Sequence, residues 1–201
     1  MKNRSIKIYK SVYDRSSFIE CKVPDFVDND HIFKSLGVNK QKVLDIIQNE
    51  TDKPTRNTLK RDLLPAVNFE DSGLFSIDID GISHDKYKVR LLTTKLSSLD
   101  FTFMVCKSVS GNLVAFFKYE CEPEEFKFLY YKTYLELTLI LNTAIDFLPE
   151  VNRLRYLCDG GYEYFNNESK VLTELMDVDV VPYIKTSVTP EGARSTVYSS
   201  N

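Results

Sequence analysis

Hydrophobic residues recur along this chain in two patterns, one typical of strands and the other of helices. Alternating apolar positions predict short strands in "SIKIYKSV" and "SFIECKVP", in "LFSIDID" from residue 74, and in "LDFTFMVCKS" and "NLVAFFKYE". A short turn containing Gly111 separates the last two segments, so we expect them to form a β-hairpin. A further strand is expected in "NRLRYLCD", with Arg153 and Arg155 on one face.

Apolar positions spaced three and four residues apart predict the helices. They are expected over residues 38–50, from Pro54 to just before Pro65, over roughly 84–97, over 123–145 and over 168–177. Asn39 and Ser83 are candidate N-caps, because both side chains can accept a hydrogen bond from the first turn of a helix. Pro123 fits the start of the longest helix, since a helix needs no backbone N–H donor there.

The order of these elements lacks the regular β-α-β rhythm of a doubly wound fold. We therefore predict an α+β domain in which helices flank a mostly antiparallel sheet. Residues 1–182 are expected to form this domain. The chain turns polar beyond them, and residues 183–201 are interpreted as a flexible tail or a linker to a C-terminal domain.

Composition and charge narrow the class of protein. Of the 201 residues, 43% are hydrophobic and 27% charged, as in ordinary globular proteins. We see no transmembrane span and no signal peptide, which favours a cytoplasmic protein without a membrane partner. The net charge of −3 argues against a broad, non-specific nucleic-acid binder but leaves room for a local basic groove. The helix that begins around Pro54 has an exposed face with Lys53, Arg56, Lys60 and Arg61. These residues form either a solvated face or a patch that contacts phosphates.

The four cysteines do not have the spacing of a zinc site. They form no C-x-x-C pair, and neither His31 nor His84 lies at zinc-ligand spacing from any of them. Reduced, mostly buried thiols are the expected state.

One pair of acids stands out inside a strand. Asp78 and Asp80 alternate with Phe75, Ile77 and Ile79, so both carboxylates face the same side, about 7 Å apart at the backbone. Aspartate is depleted in strands, so the pair calls for an explanation. Three remain open from the pattern alone: an edge strand with one solvated face, a metal site at a strand end, or a turn-capping role before Gly81.

Longer stretches resemble a known family. "NETDKPTRNTLKRDLLPAVNF" followed by "SGLFSIDIDGI" is similar to the opening of the VirE N-terminal or primase-like domain of bacterial mobile elements and phages. The family is thought to belong to the archaeo-eukaryotic primase superfamily, and the similarity covers roughly residues 40–170. It implies a primase-like (RRM-like) catalytic core with three sequence motifs.

The resemblance assigns residues to each motif. Asp78 and Asp80 match the first, and Asp146 stands where the family has its third acid. Ser108, Ser110 and Gly111 match the Ser-Gly turn of the second motif. Arg153 and Arg155 match the strand that follows the third acid, and the resemblance implies that all five residues bind nucleotide. The family usually has a basic residue shortly after the turn, but here Val114 or Ala115 occupies that position. Arg153, Arg155 and Lys107 are candidate substitutes, since a cation there would offset triphosphate charge.

The implied chemistry is nucleotidyl transfer by a two-metal mechanism. Asp78, Asp80 and Asp146 would hold Mg²⁺ or Mn²⁺, which prefer carboxylate oxygens. The implied partners are nucleoside triphosphates, a single-stranded DNA template and a helicase domain or protein. Two functions stay open: a primase-polymerase domain in DNA replication of a phage or mobile element, and a catalytically inactive module of the same fold that binds DNA or a replication partner.

Overall fold

The structure is a computed structural model, and it describes residues 5–22, 29–70, 72–149, 154–157 and 162–173. In these ranges the chain forms eight strands and five helices. The strands are β1 (Ser5–Tyr9), β2 (Phe18–Lys22), β3 (Ala66–Asn68), β4 (Leu74–Ile79), β5 (Thr102–Lys107), β6 (Leu113–Lys118), β7 (Arg155–Tyr156) and β8 (Tyr162–Phe165). The helices are α1 (Asn29–Ser35), α2 (Lys40–Asn49), α3 (Lys53–Leu63), α4 (Lys86–Ser97) and α5 (Pro123–Leu141).

The strands form two four-stranded antiparallel sheets, which confirms the predicted α+β class. The first sheet has the order β2-β1-β3-β7, and the second has the order β4-β6-β5-β8. The sequence led us to expect one main sheet, whereas β1, β2, β3 and β7 form a sheet of their own. The predicted hairpin is β5–β6, and β6 lies in the interior of the second sheet with all six residues buried.

Two apolar clusters hold these layers together. One lies on the first sheet and on α1 and α2, where Ile8, Phe33 and Ile47 pack with Met104 and Phe116 of the second sheet. The other covers the opposite face of the second sheet and includes residues of α4 and α5. The second sheet is therefore buried on both faces, which explains the near-continuous hydrophobic runs of β5 and β6.

Most helices begin where a capping residue or a proline in the sequence predicts. Asn39 caps α2, accepting a hydrogen bond from Lys42 N at 3.0 Å, as predicted. The cap of α4 is Asp85 rather than the predicted Ser83, because Asp85 lies directly before the first turn and accepts from Lys88 N at 2.9 Å. Both ends of α5 are well defined: Pro123 begins it, and Asn142 ends it in the left-handed conformation, with φ 50°.

The predicted helix over residues 168–177 is wrong for the part that the structure describes. Residues 168–173 are not helical, and Leu172 instead forms a parallel bridge with Tyr119. The bridge is reinforced because Glu120 N donates to Leu172 O and Leu172 N donates to Lys118 O, both at 3.0 Å. Residues 174–177, the predicted tail and Arg153 lie outside the described residues.

Cys106 and Cys121 are free thiols, and Cys106 is buried, as predicted for that residue. Of the described helices, none is long and apolar enough to cross a membrane.

Candidate functional site

The two acids of "SIDID" lie on the face of β4 that the alternation predicts. Phe75, Ile77 and Ile79 belong to the cluster shared with α4 and α5, so Asp78 and Asp80 face the other way. The side chains on this face become more exposed toward the end of the strand. Ser76 is buried, Asp78 is partly buried and Asp80, directly after the strand, is exposed.

Asp78 forms an ion pair with Arg155. The guanidinium Nη1 donates to Asp78 Oδ2, and the side chains of Arg155 and Asp78 are only 13% and 22% exposed. Arg155 belongs to β7 in the first sheet and Asp78 to β4 in the second, so this pair connects the two sheets. Arg155 is thus an ion-pairing residue that links the two sheets, and its predicted contact with nucleotide would require this pair to open.

Asp146 also lies beside Asp78, and a backbone hydrogen bond joins the two residues. Asp146 N donates to Asp78 O at 3.0 Å, on the edge of β4 that faces away from β6. Tyr130 is a neighbour of the same group, and burial raises the pKa of its phenol to about 12. The charges of Asp78 and Asp146 raise this pKa further, while Arg155 and a hydrogen bond from Leu148 N lower it.

Asp80 is connected to the β5–β6 turn. Asn112 Nδ2 donates to Asp80 Oδ1 at 2.8 Å, and Asn112 Oδ1 accepts from Ile82 N at 3.2 Å and from Ser83 N at 3.0 Å. One asparagine therefore satisfies an acid and two backbone donors of the loop after β4. The first motif and the Ser-Gly turn, which are some thirty residues apart in sequence, meet in one place.

The conformation of the turn explains its Ser-Gly sequence. Gly111 has φ +79°, which favours glycine, and a Cβ there would lie 3.3 Å from Ser83 Cβ. The turn closes through Ser108 N to Asn112 O and Gly111 N to Ser108 O, both at 2.8 Å. Ser108 and Gly111 thus shape the turn, and Ser110 stands exposed at its tip.

A lysine from α3 reaches this tip. Lys60 Nζ donates to Ser110 Oγ at 2.6 Å. Burial lowers the pKa of Lys60, and the charges of Arg56 and Lys53 lower it further, while Asp80 acts in the opposite direction. Lys60 is therefore within electrostatic range of both the cations of α3 and the acid of the first motif.

Two basic residues of the β5–β6 hairpin make other contacts. Lys107 Nζ is 2.7 Å from Glu163 Oε1, so it pairs with β8 on the far side of the sheet from β4. Lys118 is buried at the other end of β6, where its ammonium donates to Asn167 O and lies 5.1 Å from the Phe103 ring centroid.

The three predicted metal ligands do not form one cluster. Within the described ranges, no group of three or more His, Cys, Asp or Glu side chains could hold a metal ion. Asp78 is engaged by Arg155, and Asp80 turns toward Asn112. The exposed carboxylate at this site is that of Asp80.

Sequence reasoning missed two residues that build the site. Asn112 follows the Ser-Gly turn directly, and its role depends on a contact across about thirty residues. Lys60 was recognised only as part of a basic helix face, because its contact with Ser110 spans 50 positions. The signal available for Lys60 was its spacing from Lys53 and Arg56 on one side of α3.

Comparison with known proteins gives no further assignment: no family model, no curated protein and no solved structure matches this chain.

Proposed function

We propose that this chain is a primase-polymerase-like domain that binds a nucleoside triphosphate at the end of β4. The 3′-hydroxyl of a strand on a single-stranded DNA template attacks the α-phosphate, forming a phosphodiester bond and releasing pyrophosphate. The observation that carries the proposal is the junction of the first motif with the Ser-Gly turn through Asn112. It brings an exposed carboxylate close to the turn whose serine hydroxyl contacts a lysine ammonium, which supports the proposal. A β-α-β-β-α run, from β4 to α5, supports the proposed primase-like core.

The residues fit one divalent cation that arrives with the triphosphate. Mg²⁺ is commonly bound by one or two carboxylates together with substrate phosphates, rather than by a complete protein cage. Asp80 would be the first ligand, and Asp78 would be the second if Arg155 released it. When bound, Mg²⁺ or Mn²⁺ would offset negative charge on the phosphates.

The described side chains do not fit a two-ion site as they stand, because no three-carboxylate group is assembled. We therefore assign the chain's own residues only the binding steps. Asp80 orients the cation, Asn112 holds Asp80, and Ser110 with Lys60 offers donors to phosphate oxygens.

A second candidate is a primase-fold module that binds nucleotide, DNA or a replication partner without catalysis. The Asp78–Arg155 pair favours it, since this pair neutralises one of the two acids of the first motif. The two candidates share the binding site and differ in whether a phosphodiester bond is formed.

A thermal-stability titration tests the shared part. The melting temperature should rise when Mn²⁺ and a deoxynucleoside triphosphate are added together, because a ligand that binds only the folded state stabilises it. Asp80→Asn should abolish this rise, while the control Asp45→Asn, an exposed acid on α2, should keep it. An equal rise in wild type and Asp80→Asn would contradict the proposal.

Primer extension with labelled nucleotide then separates the candidates. Metal-dependent incorporation that is lost in Asp80→Asn supports the polymerase, whereas nucleotide binding without incorporation supports the inactive module. A helicase partner remains part of the proposal for either function.

A further inference from the structure

We propose that Lys60 and Arg56 of α3 form, together with Ser110, a polyphosphate-binding site that supplies the positive charge missing after the Ser-Gly turn. The inference rests on the proposed function and names the residues that would bind the β- and γ-phosphates of the nucleotide. Its test below uses a ligand without a nucleoside, so that its failure can be distinguished from failure of the proposed function.

The position that carries the basic residue in the resembling family is closed here. Val114 and Ala115 lie in β6 and are 9% and 0% exposed. They pair with Asp78 and Ile77 of β4, in the interior of the sheet. A ligand at the turn cannot reach either side chain, so a cation for this site must come from another element.

Helix α3 provides that cation. The Lys60 ammonium lies 2.6 Å from Ser110 Oγ, at the exposed tip of the turn. An ammonium has three donors, and the serine hydroxyl accepts one of them. Among the described residues, no carboxylate lies within ion-pair distance of Lys60, so its other donors are not held by an ion pair.

Arg56 adds a second and independent observation. It precedes Lys60 by one helical turn, on the same side of α3. Its Nη2 donates to Thr51 O at 3.3 Å, but its Nε is buried without a hydrogen-bond partner in the structure. A buried donor without an acceptor is costly and needs a reason, and a phosphate oxygen is a suitable acceptor for guanidinium.

The charges on α3 point to an anion as well. Lys53, Arg56 and Lys60 lie within one helix, and like charges one turn apart destabilise a helix. The lowered pKa of Lys60 reflects this crowding together with burial. The charge of Asp80 opposes this shift, so a metal-bound triphosphate would meet cations at its phosphates and the nearby acid at its metal.

Binding of inorganic tripolyphosphate in metal-free buffer, measured by isothermal titration calorimetry, tests this site alone. Lys60→Gln should weaken binding about tenfold, as expected for the loss of one hydrogen bond to a charged group. Arg56→Gln should weaken it similarly, and Lys60→Arg should restore most of the affinity because it keeps the charge. The matched control is Lys34→Gln, which removes an equal charge from an exposed position on α1.

Asp80→Asn separates this inference from the proposed function. Without metal, this variant should bind tripolyphosphate at least as tightly as wild type, because it loses a nearby negative charge. Loss of tripolyphosphate affinity in Lys60→Gln and Arg56→Gln, but not in Lys34→Gln, supports the site even if no nucleotide is ever incorporated. Unchanged affinity in both variants, equal loss in the control, or no tripolyphosphate binding by the wild type would overturn it, whatever Asp80→Asn does with Mn²⁺ and nucleotide.

Discussion

The carboxylate of Asp78 lies beside the Arg155 guanidinium, whereas that of Asp80, two residues further along the same face, is exposed and accepts a hydrogen bond from Asn112. The sequence pattern treats these acids as equivalent. The two acids differ because β7, far along the chain, positions Arg155 beside Asp78 but not beside Asp80. Environment therefore divides the pair into an acid that connects the sheets and an acid that is open to a ligand.

Removing Arg155 should destabilise the protein through Asp78. In Arg155→Gln the carboxylate keeps its partly buried position but loses its charge partner, which should lower the free energy of unfolding by about 2 kcal/mol. Urea denaturation at neutral pH measures this change. Lys107→Gln is the control, since its ion pair with Glu163 is 44% and 39% exposed and should contribute less than about 1 kcal/mol. Equal effects of the two substitutions would show that burial does not strengthen the Asp78–Arg155 pair.

Lys118 should make stability depend on alkaline pH. Its side chain is 4% exposed, and burial lowers its pKa from the ordinary value. The charged form is thus disfavoured in the folded state. Burying the charged lysine costs stability, and this cost is fully present below the lowered pKa. Between the lowered pKa and the unfolded value near 10.5, the folded protein binds fewer protons than the unfolded chain, so the cost declines as pH rises. Relative to Lys118→Met, the wild type should therefore gain stability in paired urea titrations as pH rises through the alkaline range toward 10.5. A constant difference between the two proteins across this range would argue against a perturbed lysine.

At the scale of single elements, the sequence predicted helices and the hairpin best where a cap, a proline or a turn glycine fixes their position. Caps and prolines located α2, α3 and α5, and the short turn at Gly111 located the β5–β6 hairpin. The predicted helix after residue 168 failed because tertiary hydrogen bonds from Leu172 to the end of β6 outweigh its helical periodicity. Helix α3 was located correctly, but its periodicity could not show that Lys60 contacts Ser110.

The end of α5 depends on one left-handed residue. Asn142 has φ 50° and ψ 50°, a conformation that asparagine tolerates and that glycine adopts without a Cβ penalty. Asn142→Ala should lower the free energy of unfolding by about 1 kcal/mol, while Asn142→Gly should leave it unchanged or raise it. Thermal and urea denaturation of both variants measure this. The opposite order of stability would mean that side-chain contacts of Asn142, rather than its backbone, terminate the helix.

At the scale of the whole molecule, the candidate site is built from contacts that no local pattern encodes. Alternation predicted that Asp78 and Asp80 share a face, and hairpin signals predicted the turn, but not that Asn112 joins the two. The division of the strands into two sheets is equally non-local, since β3 and β7 pair across about ninety positions. The sequence therefore predicted the α+β class and several pieces of the site, whereas their assembly depended on long-range packing.

This assembly predicts an uneven distribution of stability, measurable by native-state hydrogen exchange. Strand β6 lies between β4 and β5 with every residue buried, so its amides should exchange only through global unfolding. Strand β2 is at an edge of the first sheet and has no fully buried residue, so local opening should expose its amides. We expect protection factors in β6 to exceed those in β2 by about 100-fold or more. Strand β4 should fall between them, because it pairs with β6 on one side while Asp146 N covers one carbonyl on the other. Equal protection of β2 and β6 would instead mean that the two sheets unfold as one cooperative unit, with the Asp78–Arg155 pair among the contacts that connect them.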